Sequence, residues 1–358
     1  MKITTIIGAR PQFIKASVLS NLIKERKDIE EVIIHTGQHF NEMMSDVFFD
    51  ELKIPEPRYN LNISSLSHGA MTGRMIESIE NILMEEKPDL TIVYGDTNST
   101  LAGALASIKL DIPIAHIESG LRSFNKKMPE EINRKLTDHI SKYLFCPTIK
   151  SIKNLTNEGI TRNVELVGDI MYDSFLKYEK LGNNCINSTN LKKEYCLLTL
   201  HRQENTNDYG VIYNLFDTLR KISEKYEYNF VFPMHPRINK FLNDNDFPFK
   251  NYKNIFFTFP MSYIDMINLE KNAKFIFTDS GGIQKEAYWA KTPCITLREE
   301  TEWVELLDTG MNVLTGMHSI KIQQVFSDFL CKELNFDKPL YGDGKTGQKI
   351  LDVITKKL

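Results

Sequence analysis

The chain of 358 residues has no two cysteines placed to share a metal or form a framework of bridges. Cys146, Cys185, Cys196, Cys294 and Cys331 are scattered, odd in number and without a CxxC pair. That argues against a zinc cage or a disulfide scaffold and suits reduced thiols in a cytoplasm. Long apolar runs are also missing: no stretch approaches the length a membrane-spanning helix needs, so no membrane partner is expected. An excess of positive charge is missing too. With 44 Lys and Arg against 47 Asp and Glu, the formal charge is −3, and a nucleic-acid partner is not expected. There are no low-complexity segments. The opening "MKITTIIGARPQFIKA" has a lysine before an apolar run, but the run is short and meets Arg10-Pro11 without a small-residue cleavage site. It reads as a buried first strand.

What is present is rhythm. Short apolar runs alternate with helical patterns: Ile3–Ile7, Val32–His35, Leu90–Tyr94, Ile112–Ile117, Tyr143–Cys146 and Val164–Val167, then Cys196–Leu200, Phe230–Phe232, Ile255–Phe257, Phe275–Phe277 and Cys294–Leu297. Alternation of this kind predicts parallel sheets covered on both faces. The polar, turn-prone "KLGNNCINSTNLKKEY" at 180–195 interrupts it and reads as a linker. The fold class is therefore α/β, with two Rossmann-like doubly wound domains facing a cleft. One covers 1–180, joined by a closing helix at about 345–358; the other covers 190–344.

Polar residues crowd the strand ends, where open α/β sheets place ligands. Gly8 is followed by Arg10, which either caps a cleft with positive charge or simply opens a helix beside Pro11. Asp96 follows Gly95, and a helix N-cap is its competing reading. Glu118 ends another strand, either for chemistry or as the partner of Arg122, and His116 stands two residues before it. In "MPEEINR" a proline and two glutamates suit a first helical turn. His35 and His39 are four apart, but the glycine between them argues against a shared helix face, so no metal is expected. His201-Arg202 at a strand end has no evident core role. In "FIFTDSGGIQKEAYWA" a strand runs through Ser280-Gly281-Gly282 into a helix. Free backbone N–H groups and the helix dipole there favour a phosphate, against the plainer reading of a turn that needs glycine. Ser280 lacks the GxSxG elbow of a nucleophile.

The segments "GARPQFIK", "HTGQHF", "GDTNSTLAGALA", "HIESGLRS", "PEEINRKLTDHIS", "LTLHRQEN", "HPR", "DSGGIQKEA" and "GDGKTGQKI" occur in this order. Together they resemble the non-hydrolysing UDP-N-acetylglucosamine 2-epimerases over almost the whole chain. The resemblance implies the GT-B-like pair of Rossmann domains, a homodimer, no cofactor and a UDP-sugar substrate. It implies a reaction in which UDP is eliminated through a 2-acetamido-glycal and added back with carbon 2 inverted. Position by position, it assigns Asp96, Glu118, Glu130 and His201 to catalysis. It assigns Arg10, Lys15, Arg134, His201, Ser280, Gly281, Gly282 and Glu302 to UDP, and Gln38, His39 and His235 to a regulatory nucleotide-sugar site.

Thr301-Glu302-Trp303-Val304-Glu305 departs from the family's usual Thr-Glu-Arg-Pro-Glu. The Glu118–Glu130 loop is short as well. With "GDIMYDS" at 168–174, these features resemble the branch acting on UDP-2,3-diacetamido-glucuronic acid in O-antigen pathways. Two rivals remain. A UDP-sugar glycosyltransferase would need an acceptor groove, and no basic amphipathic segment offers one. A silent UDP-sugar sensor would have no use for Asp96, Glu118, Glu130 and His201 together.

Overall fold

Two sheets, each with every strand parallel, take up the apolar runs. A computed structural model describes residues 1–38, 51–181, 194–202, 205 and 208–357. They fall into an N-terminal unit, Met1–Leu176 with Pro339–Leu358, and a C-terminal unit, Lys177–Lys338.

The N-terminal sheet is built from β1 (Lys2–Ile7), β2 (Glu30–His35), β3 (Tyr59–Asn60), β4 (Leu90–Tyr94), β5 (Ile114–Ile117), β6 (Tyr143–Cys146) and β7 (Val164–Leu166). Its spatial order is β3-β2-β1-β4-β5-β6-β7, so the winding reverses between β1 and β4. Such a reversal opens a crevice beyond the strand ends. Register brings those ends together: Ile7 pairs with His35, and Tyr94 with Ile117. The helices are α1 (Arg10–Lys24), α2 (His68–Glu86), α3 (Asn98–Lys109), α4 (Pro129–Ile140), α5 (Ile149–Asn157) and α6 (Ile170–Tyr178). Strands such as LTIVY are buried along their whole length because helices cover both faces. Ile6, Ile34 and Val93 pack with Ile79, Leu83 and Ala102 on one face. The terminal helix, Thr346–Lys357, packs against α1, where a Cβ on Gly347 would stand 2.6 Å from Val18 Cγ1.

The C-terminal unit repeats the plan with β8 (Tyr195–Thr199), β9 (Asn229–Pro233), β10 (Ile255–Thr258), β11 (Phe275–Thr278), β12 (Cys294–Thr296) and β13 (Asn312–Leu314). The order is β10-β9-β8-β11-β12-β13, with the reversal between β8 and β11. Its helices are α7 (Tyr209–Tyr226), α8 (Pro236–Asp244), α9 (Tyr263–Asn272), α10 (Gly281–Trp289), α11 (Val304–Leu307) and α12 (Ser319–Cys331), which makes Thr346–Lys357 α13. Its core is aromatic: Phe216, Phe230, Phe232, Phe275, Phe277 and Phe326 are buried together. Strands β3 and β13 were not among the expected runs. β3 spans two residues, and β13 spans three of which the first is Asn312, so neither offers an apolar run.

Candidate active site

In the N-terminal unit the reversal point gathers Asp96 and Glu118. The N-cap of α3 is Thr97, whose hydroxyl accepts the Thr100 N–H, so Asp96 is not the cap. Its carboxylate instead accepts from Arg134, with Nη2 at 2.6 Å and Nε at 2.9 Å. Arg134 is steadied from below by Glu131, 3.1 Å away, whose carboxylate also accepts the Ser123 and Phe124 N–H groups at 2.8 and 3.1 Å. Burial pushes the Glu131 carboxyl up, but those donors and Arg134 outweigh it and hold the group below the ordinary carboxylate range. Asn133 completes the grip by donating to the Asp96 carbonyl at 2.9 Å.

Glu118 is paired with the Lys15 ammonium, and both side chains are about nine-tenths buried. Arg122, the partner that the competing reading offered, reaches away: it donates to Asp138 at 2.7 Å and, through Nε and Nη2, to Glu158 at 2.9 and 2.7 Å. Lys15 wins because α1 starts directly beyond β1 and its second turn brings the ammonium to the carboxylate that stands just past β5. Glu118 adopts φ +71°, a left-handed conformation rare for a residue with a side chain. Such strain is held only where surrounding contacts impose it, and it concentrates at working sites. Beneath both acids, the buried Gln12 ties β1 to β4. Its Oε1 accepts the Gly8 and Ala9 N–H groups at 2.8 and 3.0 Å, and its Nε2 donates to the Tyr94 carbonyl at 2.9 Å. Arg10 opens α1 and is half-buried, as is Glu130 in the first turn of α4.

In the C-terminal unit the reversal point joins His201 to the DSGG turn. Asp279 is fully buried and accepts from His201 Nδ1 at 2.8 Å, the Arg202 N–H at 3.0 Å and Asn205 Nδ2 at 3.1 Å. Burial raises its carboxyl, but His201 and these donors more than offset that, leaving it low. The His201 ring is thus oriented from behind while remaining half-exposed. Ser280 caps α10 through the Ile283 N–H at 3.5 Å. The Glu302 carboxylate lies against the start of the same helix: a Cβ on Gly281 would stand 2.4 Å from its Oε1. Arg298 Nη1 pairs with Glu302 at 3.1 Å. Next to it, the ammonium of buried Lys285 sits 4.0 Å from the Trp303 ring centre, a cation–π stack.

Of the three residues tied to a regulatory site, Gln38 accepts from the Ser99 N–H and hydroxyl at 3.0 and 2.7 Å, filling an orphan donor at the start of α3. His235 caps α8, its Nδ1 accepting from Arg237 N–H at 3.3 Å. His39 lies outside the described residues, as do Cys185 and Glu204. His35 is buried, stacked on Phe13 at 5.2 Å and bonded to Asn60 at 3.1 Å. Sequence reasoning passed over Gln12, Glu131, Asn133, Asp138 and Asp279. A signal existed for the α4 residues: Glu131, Arg134 and Asp138 recur at helical spacing, and all three face inward.

The family described as UDP-N-acetylglucosamine 2-epimerase matches residues 21–355. A UDP-N-acetylglucosamine 2-epimerase homolog of Methanococcus maripaludis is 51% identical, with 99% of each chain covered. The UDP-2,3-diacetamido-2,3-dideoxy-D-glucuronate 2-epimerase of Pseudomonas aeruginosa is 46% identical, over 99% of this chain and 100% of that one. Among solved structures, the Methanocaldococcus jannaschii UDP-GlcNAc 2-epimerase in complex with UDP-GlcNAc and UDP is 43% identical. It superposes with a TM-score of 0.90, over 99% of this chain and 100% of that one.

Proposed function

Because the chain belongs to the UDP-N-acetylglucosamine 2-epimerase family, we propose that it inverts carbon 2 of a UDP-N-acetylhexosamine without releasing free sugar. The observation that carries this reading is the pair of acids at adjoining strand ends, each fastened to its own cation: Asp96 to Arg134 and Glu118 to Lys15. Carboxylates held this firmly suit proton transfer at an unactivated carbon, where alignment supplies much of the rate. A base takes the carbon-2 proton, the C–H pair becomes the C1–C2 double bond, and the C1–O bond breaks with its electrons leaving on UDP. Protonation of the 2-acetamido-glycal from the other face and return of UDP to carbon 1 give the inverted sugar.

In this reading Asp96, Glu118, Glu130 and His201 share the acid and base work. The diphosphate lies at Ser280-Gly281-Gly282, where α10 offers free N–H groups and its positive dipole end. Arg10, Lys15 and Arg134 add positive charge, and Glu302 accepts from the ribose hydroxyls. The enzyme acts as a cytosolic homodimer and supplies surface polysaccharide synthesis.

The test is incubation with UDP-N-acetylglucosamine in heavy water, followed by NMR. Deuterium at carbon 2 of both epimers, with no acceptor added and no free sugar, is the expected result. An absence of exchange, or release of free sugar, would overturn it. A second substrate, UDP-2,3-diacetamido-glucuronic acid, belongs in the same assay. The relative of that name and the Trp303–Lys285 stack beside Glu302 favour including it.

A further inference from the structure

We infer that His116 is a positioning residue for Asp96, acting through the Gly95 carbonyl and anchored by a buried polar stripe on α4. The inference rests on Asp96 being one of the acid/base groups. His116 is the middle of β5 and is completely buried. Its Nε2 lies 2.7 Å from the Gly95 carbonyl, and its Nδ1 lies 2.7 Å from Asp138 Oδ1. A carbonyl only accepts, so Nε2 carries a proton. The Nδ1 contact with a carboxylate needs a second proton between the two groups. The ring therefore donates outward on one side and is braced on the other.

The braced carboxylate is itself fixed. Asp138 Oδ2 accepts from the Gly120 N–H at 3.1 Å and from Arg122 Nη1 at 2.7 Å. Asp138 follows Arg134 by one helical turn on α4, so one helix face holds both ends of the device. Arg134 grips the Asp96 side chain while Asp138 grips the residue under the Asp96 backbone.

Gly95 is where the force is delivered. Its N–H donates to the Ile117 carbonyl at 2.9 Å and its own carbonyl is taken by His116, so the residue before Asp96 is held through both of its peptide groups. With φ +63°, Gly95 adopts a turn that residues with side chains rarely enter. A Cβ there would lie 3.1 Å from Glu118 Oε2 and 3.4 Å from Lys15 Nζ. The turn thus packs against the second acid pair as well, and a shift of Gly95 displaces Asp96 relative to Glu118.

Two substitutions separate this role from plain core filling. The amide of Gln reaches the place of Nε2, so His116→Gln keeps a donor for Gly95. The amide of Asn reaches only toward Nδ1, so His116→Asn loses that donor. We expect His116→Asn to lower kcat about 100-fold, the scale of a misplaced catalytic group, with KM within about threefold. The loss in His116→Gln should stay under about tenfold. Asp138→Asn serves if either variant folds poorly: its amide can donate to Nδ1, leaving Nε2–H on Gly95, and its kcat should fall by less than about tenfold relative to the wild type, a loss of about 100-fold overturning the inference. Equal kcat losses in His116→Asn and His116→Gln, or a wild-type kcat in His116→Asn, would overturn the inference, whatever happens to Tm. A loss in Asp138→Asn matching that of His116→Asn would overturn it too. Asp96→Asn is run alongside. If it turns over normally, the acid/base reading of Asp96 has failed; if it is inactive while His116→Asn is normal, only the positioning role has.

Discussion

Glu31 presents a buried carboxyl whose cost can be read against pH. It stands near the start of β2, where the Thr5 hydroxyl donates to its Oε1 at 2.5 Å and the Ser20 hydroxyl at 3.0 Å. Its Oε2 is enclosed with no hydrogen-bond partner among the described residues. Burial pushes the group up to about 7 from an ordinary 4.5, the two hydroxyls only partly opposing it. Between those values the folded chain holds a proton that the unfolded chain has released. Stability is therefore full below the unfolded pKa and falls as pH rises through 7. The difference between the two values is worth roughly 3 kcal/mol. Glu31→Gln removes this slope while keeping an acceptor for both hydroxyls, at a pH-independent cost of about 1 kcal/mol for its amide. Hydrogen exchange of β1 and β2 peptides reports the N-terminal unit, and the variant-to-wild-type ratio cancels intrinsic rates. Trp289 and Trp303 both lie in the C-terminal unit, so their fluorescence serves as a control that should not move. The ratio should shift in favour of the variant by about 2–3 kcal/mol between pH 5 and pH 8. An unchanged ratio would refute the account of Glu31.

The strands were legible because burial on both sheet faces forces nearly unbroken apolar runs, as in LTIVY and FIFT. The same logic located Asp96, Glu118 and His201, since residues just past such runs stand at the carboxyl edge of a parallel sheet. What stayed hidden was pairing. Lys15 and Glu118 are 103 positions apart, and Arg134 and Asp96 are 38 apart. Nothing local in the sequence tells Glu118 to choose Lys15 over Arg122, four residues away; only the placing of α1 directly beyond β1 decides it. Asp279 was concealed differently. It sits between a strand and a glycine turn, and its value lies in aiming His201, 78 positions earlier. The supporting groups Gln12, Glu131, Asn133 and Asp138 share that character: each is polar, buried and defined by what it holds.

Asp279→Asn should destabilise the C-terminal unit by about 1.5–3 kcal/mol near neutral pH, because four donors, the His201 N–H and ring, the Arg202 N–H and the Asn205 amide, lose a charged acceptor. The Asp279 carboxyl is depressed in the fold, so its contribution is present above the unfolded pKa and lost as pH falls. Acid unfolding followed by tryptophan fluorescence should accordingly be less steep in the variant, and an identical acid transition would count against the assignment. Gly281→Val should cost at least tenfold in UDP affinity by calorimetry without altering the far-UV spectrum; undiminished affinity would remove α10 as the diphosphate site. Glu302→Ala tests the ribose. Loss of its hydrogen bonds to vicinal hydroxyls should weaken UDP by about 1.5–3 kcal/mol and a 2′,3′-dideoxy analogue hardly at all. The alternative is that Glu302 acts through its pairing with Arg298 and its contact with the start of α10. A negative charge removed from the mouth of a phosphate site should then tighten both ligands, since the carboxylate and a diphosphate compete for one positive pole. Glu299→Ala, which breaks an exposed contact with His318 at 3.0 Å, should change neither. Equal changes for UDP and the dideoxy analogue, in either direction, would rule out a grip on ribose and leave Glu302 as an occupant of the helix N-terminus.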